Sequence, residues 1–127
     1  MNIILTHNHT DFDAVASQLG AWKLYPEWVP LVGRRLNSNV RHFLTLYWGA
    51  LPFCYAADLI KTVIEGVMLV DSQRLPPLKR VDTQHIPEVR VVDHHPLRDD
   101  LPPHWQIEVH ALETFAMAAG SNDSLSM

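Results

Sequence analysis

Three short polar clusters carry the side chains of this sequence most able to do chemistry. The first is His7-Asn8-His9-Thr10-Asp11-Phe12-Asp13, where an imidazole and two carboxylates (His7, Asp11, Asp13) stand at positions i, i+4 and i+6. The second is the single carboxylate of Val70-Asp71-Ser72, and the third is Asp93-His94-His95-Pro96. Nitrogen and oxygen donors without sulfur suit Mn²⁺, Mg²⁺ or a Zn/Co-type ion, and a carboxylate can bridge two such ions about 3.5–4 Å apart. Asp71 is the candidate bridge. Asp93-His94-His95 offers a second imidazole ligand, a neighbouring histidine to touch substrate, and an aspartate to orient one of the rings. Any one such cluster could simply cap a loop. Three of them, each directly after an apolar run, make chance convergence the weaker explanation.

The runs that precede the clusters have strand character. Residues 3–5 (Ile-Ile-Leu), 67–70 (Val-Met-Leu-Val) and 89–92 (Val-Arg-Val-Val) are short and β-branched, and each ends where polar residues begin. Between the first and second clusters, Ala14, Val15, Leu19, Trp22 and Leu24 recur at helical spacing until Pro26 stops them. Residues 28–32 predict another strand, with Pro30 placing it at a sheet edge or at a strand start. Asn37 or Ser38 caps a second helix with Val40, Phe43, Leu44, Tyr47 and Trp48 on its apolar stripe, and residues 58–64 suggest a short third helix. This alternation predicts an α/β fold, a three-layer α/β/α sandwich around a mainly parallel sheet. Residues 3–5, 67–70 and 89–92 are expected at its centre, with all three clusters along one edge.

At 127 residues the chain fits one domain, expected over residues 1–110, with a polar tail at 111–127 that is expected to be partly disordered. Ten Lys and Arg against fourteen Asp and Glu give a net charge of −4, which argues against a duplex nucleic acid partner. The one cysteine, Cys54, excludes an internal disulfide and a thiolate metal cage; it is expected to be a small buried hydrophobe, and its solitude suits a reducing cytoplasm. No export signal or membrane-length apolar run is present. Serine-hydrolase, P-loop and G-x-G-x-x-G signatures are absent as well. Arg34, Arg35 and Arg41 fit either phosphate contact or plain surface charge, with the second as the default. Trp22, Trp28, His42, Tyr47 and Trp48 fit core packing or a partner interface.

The three clusters resemble the first three motifs of the DHH phosphoesterases, named for the Asp-His-His run. The superfamily includes RecJ-type exonucleases, oligoribonucleases, cyclic-dinucleotide phosphodiesterases and manganese-dependent pyrophosphatases. More narrowly, Asp11-Phe12-Asp13, Leu24-Tyr25-Pro26 and Asn39-Val40-Arg41-His42-Phe43-Leu44 resemble the N-terminal DHH domain of bacterial proteins that join it to CBS domains and a tRNA nucleotidyltransferase-like domain. The resemblance implies two Mn²⁺ ions, with Mg²⁺ or Co²⁺ as substitutes. His7 and Asp11 would hold one ion, Asp13 and His94 the other, and Asp71 would bridge them. His95 would be the catalytic residue facing substrate, with Asp93 supporting its ring from behind. His9 stands where the family often has asparagine; a supporting hydrogen-bonding role in the loop is expected of it, ahead of an extra ligand or a substrate contact.

Hydrolysis of a phosphodiester or phosphoanhydride bond in a small nucleotide or short oligonucleotide is then the expected function. The family's fourth motif, a further metal-binding aspartate, and its second domain find no counterpart in the 32 residues after His95, with Asp123 a poor substitute. The alternative is therefore a truncated, weakly active or inactive metal- or nucleotide-binding module. A homo-oligomer or a partner chain supplying the missing half is also compatible with this pattern.

Overall fold

Alternation of apolar side chains along short β-branched runs builds the centre of the molecule, a computed structural model that describes residues 1–7, 9–33, 35–59, 63–76, 85–93 and 95–108. Six strands, β1 (Asn2–Leu5), β2 (Val29–Val32), β3 (Cys54–Tyr55), β4 (Gly66–Val70), β5 (Glu88–Val92) and β6 (Gln106–Glu108), form one sheet in the order β3-β2-β1-β4-β5-β6. All five pairings are parallel, and with helices α1 (Phe12–Leu24) and α2 (Ser38–Tyr47) they make an α/β fold. β1, β4 and β5 lie centrally. No helix among the described residues is long and apolar enough to cross a membrane.

Successive strand residues point to opposite faces, so each central strand feeds two cores. Ile3, Leu5, Val67, Leu69, Val89 and Val91 pack on one face, and Ile4, Met68, Val70 and Val92 on the other with Ala21 and Trp28. α1 covers this second face, and a third cluster of Val15, Leu19, Val32, Val40 and Leu44 joins α1 to α2 and β2. Helix α1 is further tied to the sheet by Gln18. Its buried Nε2 donates to Ile4 O (3.2 Å) and Leu31 O (2.9 Å), satisfying carbonyls that the short β1–β2 ladder leaves over.

Among the described residues, Ala56, Leu59, Ile64, Leu75 and Trp105 pack with Ile86 on the face opposite α1. The helix expected at 58–64 does not form over its described positions. Ala56–Asp58 forms a single 3₁₀ turn, Leu59, Val63 and Ile64 are non-helical, and positions 60–62 lie outside the described residues. Val63 and Ile64 are β-branched and stiff against a helical turn, and burying Ile64 in the sheet core favours an extended approach to β4. Cys54 is exposed, not buried, because β3 is a two-residue edge strand whose side chains both face solvent. β3 and β6 are additions to the expected strands. Pro30 is the second residue of β2, ahead of the β2–β3 pairing at Leu31 and Val32, where its missing N–H breaks no bond to β3. The tail at 111–127 lies outside the described residues.

At Gly66 the sheet has no room for a side chain. A Cβ there would sit 2.9 Å from Asn2 Oδ1 and 3.0 Å from the Trp28 ring. Gly66→Ala is expected to destabilise the fold by about 1–3 kcal/mol through this overpacking, read as a lower urea midpoint at unchanged m-value.

Candidate metal centre

The strand order places the clusters. From β1 the chain moves outward through β2 and β3, then crosses back to β4 on the other side of β1, so the order reverses between β1 and β4. In such sheets the connections leave to opposite faces at that point and open a crevice beyond the carboxyl ends of the two strands. Register completes the placement: Leu5 pairs with Leu69, and Val70 with Val92. His7 therefore follows Leu5 by the same two residues that separate Asp71 from Leu69, and Asp71 and Asp93 each come one residue after a paired position. Strands about 4.8 Å apart then bring the three side chains side by side.

Two groups of potential ligands result, His7/Asp11/Asp71 and Asp71/Asp93/His95, each with donor atoms within 4.8 Å of one another. Asp71 belongs to both. Its Oδ2 is 3.4 Å from His7 Nε2, and its side chain is only about 10% exposed. Its backbone is left-handed at φ 54°, with its N–H donating to Val92 O at 3.0 Å. Asp is one of the few residues with a side chain that tolerates this region. Burial pushes the Asp71 carboxyl above its ordinary value; the nearby His7 opposes this, and Asp11 and Asp93 add to it. A cation would relieve that conflict, and a nitrogen and oxygen donor set fits a hard or borderline divalent ion.

Asp11 serves the fold as well. It is the N-cap of α1, its Oδ1 accepting from Ala14 N at 2.9 Å, so capping aims the carboxylate that joins the cluster. Asp93 is buried with both oxygens engaged: Oδ2 accepts from Gln73 Nε2 at 2.8 Å, and Oδ1 lies 2.6 Å from His95 Nδ1. This geometry suits an orienting residue that puts the ring proton on Nδ1. Burial pushes the Asp93 carboxyl up, but hydrogen bonds from Gln73 and His95, with the His95 charge, outweigh it and hold it below its ordinary value. The hydrogen bond and charge of Asp93 raise His95 in turn.

Asp13 is exposed in the first turn of α1 and joins neither group, and His9 is exposed beside Asp11. His94 and Asp123 lie outside the described residues. Gln73 is the residue that sequence reasoning missed. Buried, its Nε2 also reaches His95 O (3.3 Å) and Pro96 O (3.0 Å), and its Oε1 accepts from Arg98 N (2.9 Å), so one amide clamps the 93–98 loop to the end of β4. Its only signal was a place in the polar run that closes the strand. Thr6 Oγ1, between β1 and His7, is buried without a hydrogen-bond partner among the described residues.

Fold and cluster together define an α/β protein with a candidate His/Asp metal centre at the carboxyl edge of a parallel sheet. Over 100 residues the chain is 33% identical to an A-adding tRNA nucleotidyltransferase of Geobacter sulfurreducens. The match takes in 76% of this chain and 11% of that protein, so the chain corresponds to about a tenth of its relative's length. No family model matches the chain. No solved structure matches it either.

Asparagine caps helices as well as aspartate does. Asp11→Asn should therefore keep wild-type stability while weakening divalent-ion binding at least tenfold, whereas Asp11→Ala should also lose about 1 kcal/mol; calorimetric titration and urea unfolding separate the two. The Asp93–His95 pair carries its own pH signature. A carboxyl held below its ordinary 3.8 contributes stability above that value and loses it as acid protonates it. An imidazole held above its ordinary 6.5 contributes below 6.5 and loses it as the pH rises through the higher folded value. In EDTA, the Tm difference between wild type and His95→Gln should be greatest from about pH 4 to 6.5 and shrink on both sides.

Proposed function

We propose that the chain is the metal-binding core of a divalent-cation-dependent phosphoesterase, cleaving a phosphodiester or phosphoanhydride bond in a small nucleotide or short oligonucleotide. The observation that carries this reading is the His7/Asp11/Asp71 ligand group at the β1/β4 reversal, with the Asp93–His95 pair beside it. The likeness of the three clusters to the DHH phosphoesterases supplies the reaction type, and the similarity to a tRNA nucleotidyltransferase favours a nucleotide ligand. Mn²⁺ is the preferred ion, with Mg²⁺ or Co²⁺ as substitutes.

His7, Asp11 and Asp71 would hold one ion, and Asp71 would be the ligand common to it and a second ion, for which Asp13 and His94 are the proposed further ligands. Bound there, such ions supply Lewis acidity, drawing charge from a phosphoryl group and making water acidic enough to attack near neutral pH. His95 acts on the substrate side. Asp93 holds its ring and favours its protonated form, from which the imidazole can protonate the departing oxygen. Gln73 fixes Asp93, and through it the ring.

A second reading is a binding module with little or no turnover, favoured by Asp13 standing outside both ligand groups. Hydrolysis of a dinucleotide with added Mn²⁺ distinguishes the two. The expected result is turnover that falls at least 100-fold in Asp71→Asn, with loss of metal, and 100- to 10,000-fold in His95→Ala, with metal retained. Mn²⁺ binding without turnover would establish the module reading, and no Mn²⁺ binding would overturn both.

A further inference from the structure

Beyond Asp11 the charge of the molecule changes sign. Residues 28–57 contain Arg34, Arg35 and Arg41 and not one Asp or Glu, in a chain of net charge −4. Arg35 and Arg41 are exposed and form no ion pair among the described residues. They line one cleft of about 550 Å³ together with His9, Asp11, Leu36 and Asn37. The cleft runs on along α2 over Ser38, Arg41, His42 and Thr45.

Its walls are stitched together by backbone. Thr10 N–H donates to Arg35 O at 3.2 Å, Asn37 N–H donates to Thr10 O at 3.1 Å, and Thr10 pairs with Leu36 in an isolated parallel bridge. The loops after β1 and β2 are thereby held at a fixed separation before any ligand arrives. The single acid in the cleft, Asp11, is also a member of the His7/Asp11/Asp71 group, so the cleft begins where the metal centre ends.

Two arginines against one carboxylate in the lining of a single cleft are matched by an oxyanion, and the planar forks of guanidinium groups fit phosphate oxygens in particular. We propose that Arg35 and Arg41 form a phosphate-binding subsite beside the metal centre, so that the preferred ligand carries a phosphate in addition to the one held at the metals. The anion site stands on the arginines and the cleft; that its phosphate belongs to a substrate rests on the phosphoesterase reading. Binding at an exposed pair of this kind is electrostatic and weakens with salt.

The test uses the full chain with Arg35 and Arg41 both changed to Gln; both side chains are exposed, so the fold is expected to persist, and an unchanged amide spectrum verifies it. In EDTA and low salt, inorganic pyrophosphate should produce saturable amide shifts centred on residues 35–41 of the wild type, with Kd raised at least tenfold in the double variant. With Mn²⁺, the ratio of KM for a 5′-phosphorylated dinucleotide to KM for the unphosphorylated one should rise about tenfold. Equal pyrophosphate affinity in the two proteins, or shifts spread over the surface without saturation, overturns the subsite. Arginine-dependent pyrophosphate binding in a chain that hydrolyses nothing upholds the subsite and removes the phosphoesterase reading. Mn²⁺-dependent hydrolysis that ignores the arginine changes does the reverse.

Discussion

Parallel pairing of β1, β4 and β5 in one register is the constraint on which the rest of the molecule depends. Because all three strands run the same way and end at nearly the same level, whatever residue follows each is delivered to one line. A shift of one residue in β4 would turn Met68 and Val70 from the α1 core to the opposite face, and Val67 and Leu69 the other way. Both faces are apolar, so the shape of the two packed cores, rather than polarity, opposes the slip. Packing along the strands thus sets the spacing of His7, Asp71 and Asp93 beyond their ends.

The site holds its groups against local preference. Asp71 adopts a left-handed backbone, sits largely out of water, and has Asp11 and Asp93 close enough to disfavour its charge. The surrounding sheet over-determines this arrangement, and conflicts of this kind concentrate at binding sites. Asp93 is treated in the opposite way. Its charge is welcomed by Gln73 and His95, and that difference separates a carboxylate whose charge a cation would relieve from one that serves a neighbouring ring.

What was legible in the sequence follows the strength of burial. Residues 3–5, 67–70 and 89–92 could be placed centrally because short, mostly apolar runs rich in β-branched residues have few other stable settings, and the meeting of His7, Asp71 and Asp93 followed from strand ends sharing one edge. Edge strands β3 and β6 escaped notice because Cys54, Tyr55 and the residues of Gln106–Glu108 are exposed, leaving no apolar rhythm to detect. The connection at 58–64 misled because apolar residues covering a sheet face need not be helical. Gln73 was invisible for another reason: its partners are mostly backbone carbonyls and amides of a loop some twenty residues away, and side-chain type says nothing about such contacts.

That one amide bears on how ligands reach the centre. Since Gln73 binds Asp93, the carbonyls of His95 and Pro96, and the N–H of Arg98, the wall of the crevice beyond β5 cannot swing away without breaking several bonds at once. It behaves as a fixed jamb. A ligand of the crevice would then enter from the opposite side, past Asp11 and the N-terminal end of α2, and the direction of approach would decide which end of an asymmetric molecule arrives first.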